Sequence, residues 1–189
     1  KYGKFSNKIT VAENANLQID DGEYSGVIDL TGGSASVSGG TVNQISLSGS
    51  AKLNVSGGTV STLTASGKNA KISGGPFEKI TVSDGLVSDL LADGYALQGA
   101  DGALVNMYTD TISQSVSVVP HTHDLGDTGA CACGYETKAV DSDNDGFVEI
   151  ATIEQLQWFA GQINSGKTLN AVLANDIDMG GKSAVIGTA

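Results

Sequence analysis

The sequence contains no arginine: its ten basic residues are all lysines, set against 21 Asp and Glu, for a formal charge of −11 and a pI near 4.3. Phosphate neutralisation needs a basic patch, so nucleic acid is excluded as a partner. Proline occurs only twice, whereas glycine accounts for 26 of 189 residues, about twice average usage. Glycine without proline points to many tight turns between short strands and not to a disordered linker. No apolar run reaches the roughly 18 residues of a membrane span, so no membrane insertion is expected, and no signal-peptide pattern stands out. Aromatic residues are scarce, at 5%, which leaves few to line a sugar-binding groove. The length suits one compact domain or two small ones, and the opening at Lys1 reads as a piece of something longer.

What is abundant is self-similarity. Ile9-Thr-Val11, Ile28-Asp-Leu30, Ile45-Ser-Leu47, Leu63-Thr-Ala65 and Ile80-Thr-Val82 recur at steps of 17 to 19 residues. A second column follows at Leu17-Gln-Ile19, Ala35-Ser-Val37, Leu53-Asn-Val55 and Ala70-Lys-Ile72. Turns come next, at Asp20-Asp-Gly22, Ser38-Gly-Gly40, Ser56-Gly-Gly58 and Ser73-Gly-Gly75, and one apolar residue closes each unit: Tyr24, Val42, Val60 and Phe77. Each triplet has the period-2 pattern of a strand with one buried face, and none is long enough to be stable alone. Stacking like residues of successive units buries them in a shared core. An antiparallel sandwich would explain the alternation but not the fixed period. The fold class is therefore all-β: a parallel, right-handed β-helix solenoid of ~18-residue coils over residues 1–82, with about five coils. Its predicted core comprises Ile28, Leu30, Val37, Val42, Ile45, Leu47, Val55, Val60 and Ile72.

From residue 83 the pattern breaks. A bare terminal coil would expose apolar core and unpaired strand edge, so residues 83–119 are predicted to cap the solenoid. The pattern predicts a helical turn over residues 88–94, capped by Ser88 and stopped by Gly94, then short strands at residues 95–97, 103–105 and 116–118.

Three places could carry chemistry. Within a 120–140 linker, His121, His123, Cys131 and Cys133 are the only His and Cys of the chain. Two of each make a tetrahedral zinc set, although one residue between the Cys is closer than the usual zinc-finger spacing. The alternatives are an exposed linker with a strained Cys131–Cys133 disulfide, and ligands whose partners lie on another segment. The second place is Asp141-Ser-Asp143-Asn-Asp145-Gly-Phe147-Val-Glu149. Acidic residues at positions 1, 3 and 5 with Gly at 6 match the start of an EF-hand-type calcium loop, in which alternating side chains converge on one oxygen-lined cavity. Phe147 would offer its carbonyl and Glu149 a carboxylate. Thr152 stands where the bidentate Glu belongs, so calcium affinity should be weak, on the order of 10⁻⁴–10⁻³ M. A solvated acidic turn joining two domains is the alternative. The third place is the outer face of the solenoid, where Thr10, Asp29, Ser46, Thr64 and Thr81 form one polar ladder and Gln18, Ser36, Asn54 and Lys71 another. Such groups hydrogen-bond sugars, but equally suit an exposed strand face. Catalysis has less support: the one acidic cluster, Asp20, Asp21 and Glu23, sits in a single turn, and no nucleophile arrangement or phosphate-cradling loop is present.

In the last segment, residues 141–189, Thr152 and Gln155 form a T-x-x-Q capping box for a helix carrying Ile153, Leu156, Trp158, Phe159, Ala160 and Ile163, ended by Gly166. A strand is predicted over residues 171–179. The run Asp145-Gly-Phe-Val-Glu-Ile-Ala-Thr-Ile-Glu-Gln-Leu-Gln-Trp-Phe-Ala, then Ala171-Val-Leu-Ala-Asn-Asp-Ile-Asp-Met179, then Val185-Ile-Gly187, resembles the opening of repeat-rich β-helix regions in large surface proteins of Gram-positive and gut bacteria, including those with GLUG-type repeats. The resemblance implies a second β-helix module beginning here, and a secreted or cell-wall-anchored extracellular location. It also implies a non-catalytic stalk, spacer or adhesin whose partner is a host or bacterial glycan or surface protein. The alternatives it leaves open are a carbohydrate-binding module and an accessory fragment of a larger secreted glycosidase or protease.

Overall fold

The computed structural model describes residues 3–125, 130–181 and 184–187. Contacts divide the chain into two compact units, residues 1–122 and 123–189.

The first unit is a parallel β-solenoid. Its strands are β1 (Lys4–Phe5), β2 (Ile9–Val11), β3 (Asn16–Ile19), β4 (Glu23–Leu30), β5 (Ser34–Val37), β6 (Thr41–Leu47), β7 (Lys52–Val55), β8 (Thr59–Ala65), β9 (Ala70–Ile72) and β10 (Pro76–Val82). A long-strand sheet runs β4-β6-β8-β10 and a short-strand sheet β3-β5-β7-β9, all parallel. Like residues stack in register: Ile28, Ile45, Leu63 and Ile80 form one column, and Val37, Val55 and Ile72 another. All nine predicted core residues are buried. The apolar position after each turn opens the long strand that carries the next triplet and does not close the unit before it. Val42 and Ile45 thus share β6 and both face inward. Two residues between inward positions break the period-2 alternation, so the strand bends there. In β4 the bend takes one extra residue, seen as a register shift between Tyr24 and Val27.

The Ser-Gly-Gly turns have two separate steric causes. A Cβ on the first glycine would strike the backbone of the preceding coil, 2.1 Å from Asp20 O at Gly39 and 2.4 Å from Ser38 O at Gly57. A Cβ on the second glycine would also clash, 2.8 Å from Gly22 O at Gly40 and 2.6 Å from Gly39 O at Gly58, and this glycine alone takes a positive φ, 74° or 72°, which only glycine adopts cheaply. The serine hydroxyl donates to a carbonyl one coil back, Ser38 to Ile19 and Ser56 to Val37.

The solenoid makes about four turns, not five, because the triplet Ile80–Val82 is followed by the cap in place of a fifth short strand. The cap strands are β11 (Tyr95–Gly99), β12 (Leu104–Val105), β13 (Thr111–Ile112) and β14 (Val116–Pro120). β13 and β14 pair antiparallel with β10, and β11 with β14, which covers the edge a further coil would have used. The predicted helical turn is a 3-10 turn over Val87–Leu90, and Ser88 does not cap it. Instead the Asp89 carboxylate accepts the Leu86 N–H at 2.9 Å and pairs with Lys68 at 3.0 Å. The Leu86 N–H, ahead of Lys68, holds the Asp89 carboxyl below its ordinary pKa.

The second unit contains β15 (Val148–Ile150), α1 (Ile153–Asn164) and β16 (Ala171–Leu173), with β15 and β16 parallel. Thr152 caps α1 by accepting the Gln155 N–H at 3.3 Å, while Gln155 Oε1 accepts the Ala151 N–H at 2.7 Å, one residue further back than in a capping box. Gly166 follows the helix with φ 88°. The predicted strand over 171–179 is cut to three residues, because only Ala171–Leu173 find a partner in β15. Its core is small: Ala139, Ile150, Trp158 and Phe159 are buried, with Leu156, Ile163 and Ile177 packed against them.

Gln157 of α1 is fully buried, and neither side-chain amide atom has a hydrogen-bond partner among the described residues. A buried amide left unpaired costs about 1–3 kcal/mol. Gln157→Leu removes both polar atoms at similar length and is expected to stabilise the second unit by roughly 1 kcal/mol or more. Thermal unfolding followed by fluorescence of Trp158, the sole tryptophan, measures it; a lower midpoint would show that the amide is satisfied in solution.

Candidate metal centres

The segment from His121 to Cys133 is polar, Gly-rich and contains no regular strand or helix among its described residues; its residues 126–129 lie outside them. A tight hairpin organises its end. Cys131 N–H donates to Tyr135 O at 2.7 Å, Gly134 N–H to Cys131 O at 2.9 Å, and Gly134 takes φ 93°. An antiparallel bridge between Ala130 and Glu136 closes it. The hairpin turns both thiols to one side and buries them, and they form no disulfide. His123 stacks on Tyr135 with ring centroids 4.1 Å apart, which brings its Nδ1 to 3.3 Å from Cys133 Sγ. With His121, two residues earlier on the same stretch, the four donor atoms all lie within 4.8 Å of one another.

These donors fit a tetrahedral cation. Bonds of about 2.0–2.3 Å to nitrogen and sulfur place donors roughly 3.5 Å apart, close to the Cys133–His123 separation. Burial pushes the Cys133 thiol above its ordinary pKa, the neighbouring Cys131 thiol adds to the rise, and the Tyr135 N–H opposes it. A divalent metal reverses that balance, since a coordinated thiol is deprotonated.

The acidic loop follows. Asp141 accepts the N–H of Asp145 at 3.1 Å and of Gly146 at 2.9 Å, and Asp143 accepts Asp145 N–H at 3.2 Å. Asp145 accepts the N–H of Phe147 at 2.8 Å. Asn144 and Gly146 take positive φ of 60° and 90°, and these two left-handed residues curl the loop tightly enough for successive carboxylates to converge. Glu149 returns to the start of the loop because Val140 and Glu149 form an antiparallel bridge, and its carboxylate accepts Ser142 N–H at 2.9 Å. Oxygens of Asp141, Asp143, Asp145 and Glu149 lie within 4.8 Å of one another. Thr152 is not part of this group; it is the cap of α1.

The sequence singled out both donor sets but not what supports them. Tyr135 behind His123 could have been noticed as an aromatic next to the C-x-C-G run. Glu136, which accepts from Trp158 Nε1 at 3.3 Å and so ties the hairpin to the helix, could not, being 22 positions away. Nor could Asn170, whose amide donates to Gly146 O at 3.4 Å and anchors the acidic loop beside β16.

The turn cluster near the start serves the solenoid. Asp20 accepts from Gln18 and Ser38 and is held below its ordinary pKa chiefly by Ser38, while Glu23 pairs with Lys4 at 2.7 Å. Both polar ladders are in register, Thr10-Asp29-Ser46-Thr64-Thr81 and Gln18-Ser36-Asn54-Lys71. No helix among the described residues is long and apolar enough to cross a membrane. No family model, curated protein or solved structure matches the chain.

Proposed function

We propose that this chain is a non-catalytic structural segment of a secreted or wall-anchored bacterial surface protein, a stalk with adhesive capacity, in which zinc and calcium staple the second unit. The observation that carries this reading is the contrast between the two units. The solenoid is held by continuous buried columns. The second unit has a core cluster of only four buried apolar residues, and it carries the acidic donor cluster and three of the four His/Cys donors, His121 standing two residues before it. A unit this small seldom gains more than about 3–5 kcal/mol from its core alone, and small domains add metals or disulfides to make up the difference. The resemblance of residues 145–187 to surface-protein β-helix openings supports the location, and millimolar calcium outside cells suits a weak loop site.

His121, His123, Cys131 and Cys133 would hold zinc in a closed four-ligand set, which is structural chemistry with no coordination position left open for a substrate. Asp141, Asp143, Asp145, Glu149 and the Phe147 carbonyl would hold calcium. Without a cation, four carboxylates in one loop repel one another. The expected result is that millimolar calcium slows proteolysis between residues 137 and 152 and that Asp143→Ala loses this protection. Equal cleavage in calcium and in chelator would leave only an acidic turn. A glycosidase or protease activity of the purified chain would overturn the non-catalytic reading.

A further inference from the structure

We infer that the outer face of the short-strand sheet is a groove for an acidic glycan, one whose carboxylates are spaced along an otherwise neutral sugar chain. The groove has a volume of about 730 Å³ and crosses β3, β5, β7 and β9. Its walls are two outward rows, Asn16, Ser34 and Lys52 on one side and Ser36, Asn54 and Lys71 on the other. Its floor is the strand backbone at Ala35 and Leu53, whose side chains are buried. Strands ~4.8 Å apart repeat at close to the rise of one sugar in an extended chain, so each strand can meet one residue.

Charge selects the occupant. Three of the ten lysines, Lys52, Lys68 and Lys71, line this groove, and no Asp or Glu does among the described residues, in a chain of net charge −11. Asp89 neutralises Lys68, whereas Lys52 and Lys71 make no ion pair among the described residues. The cations sit on β7 and β9, and the β3–β5 end offers only amide and hydroxyl groups. A carboxylate-bearing sugar fits the first end and a neutral sugar the second. A densely charged polymer would place anions over the neutral end and meet the negative field of the whole molecule. An extended peptide binds a sheet by adding to its edge through backbone hydrogen bonds, and on this face the backbone groups are already used by the ladder. Recognition here relies on amides, hydroxyls and ammonium groups in place of stacked aromatics.

This inference deepens the adhesive part of the proposed function and fails separately from it, since metal content and calcium-dependent protection do not depend on the groove. The test is calorimetric titration of the whole chain with a hyaluronan octasaccharide, in which a uronate alternates with a neutral amino sugar. Lys52→Gln combined with Lys71→Gln is expected to weaken binding at least tenfold, and carboxyl reduction of the sugar to do the same. Lys79→Gln, exposed on β10 in the other sheet, should change nothing. No binding by the unmodified chain, equal binding by the double variant, or tighter binding of heparin or of an acidic peptide would each overturn the assignment.

Discussion

Cys131→Ser is expected to abolish stoichiometric zinc and to loosen the packing around Trp158, while the solenoid keeps its circular dichroism and its unfolding midpoint. The size of the effect follows from coupling between metal and fold. In small zinc-dependent domains, apparent metal-binding free energies of about 10–16 kcal/mol are folding free energy, because the unfolded chain holds no preformed site. That range is as large as the roughly 5–15 kcal/mol by which whole domains are stable, so metal loss can remove the stability of a unit this small. The link to the core is direct. Cys131 and Tyr135 form the base of the hairpin, Glu136 follows, and Glu136 accepts the indole N–H of Trp158. Losing one thiolate leaves three donors, one of them the buried Cys133 thiol, so the hairpin loses its reason to close. The measurement is zinc content per chain by elemental analysis, alongside the emission maximum of Trp158 with and without chelator. Full zinc occupancy in Cys131→Ser would refute the ligand set, and chelation that leaves Trp158 emission unchanged would separate the metal from the fold.

Leu63→Ala in the first unit should cost about 2–5 kcal/mol, with the upper half of that range favoured. Leu63 is fully buried between Ile45 of the coil before and Ile80 of the coil after. The cost of such a truncation depends on whether the surroundings collapse into the cavity. Here both neighbours are held by parallel ladders on either side of β8, so the coils cannot close over the gap without breaking register. Thr64→Ala, one residue along and facing outward, should fall within about 0.5 kcal/mol of the unmodified protein. Urea unfolding of the two variants gives the comparison. Similar losses from both would mean that the inward and outward positions of β8 are not as described.

Much of this molecule was legible in one dimension because a solenoid repeats its contacts at a fixed sequence step. Val37, Val55 and Ile72 contact one another for the same reason that they align in the sequence. Serine followed by two glycines announced three of the four turns, although the reasons for them, closeness of both glycines to the previous coil and a left-handed backbone at the second, appear only once coils are stacked. Legibility fell where the step was lost. In the cap, Thr111–Ile112 pairs with β10 some thirty residues back, with β11 and β12 in between, and no local pattern marks it as a strand. The predicted strand over 171–179 failed for a related reason: its alternation is local, but strand length is set by the partner, and β15 offers only three residues.

By itself the sequence determined the solenoid's period, its inward columns, the two sets of candidate metal-ligating side chains and the cap residue of the helix. These are all properties of near neighbours or of a constant offset. Only the tertiary structure decided that the donors converge. Bringing Glu149 back to Asp141 takes the Val140–Glu149 bridge, and aiming His123 at Cys133 takes the stack on Tyr135. It also decided that Thr152 caps a helix, and that Glu136 and Asn170 tie the two loops to the small core beside them. Those contacts span 22 and 24 positions with no repeat to carry them, so their cost is chain entropy repaid only in the folded unit.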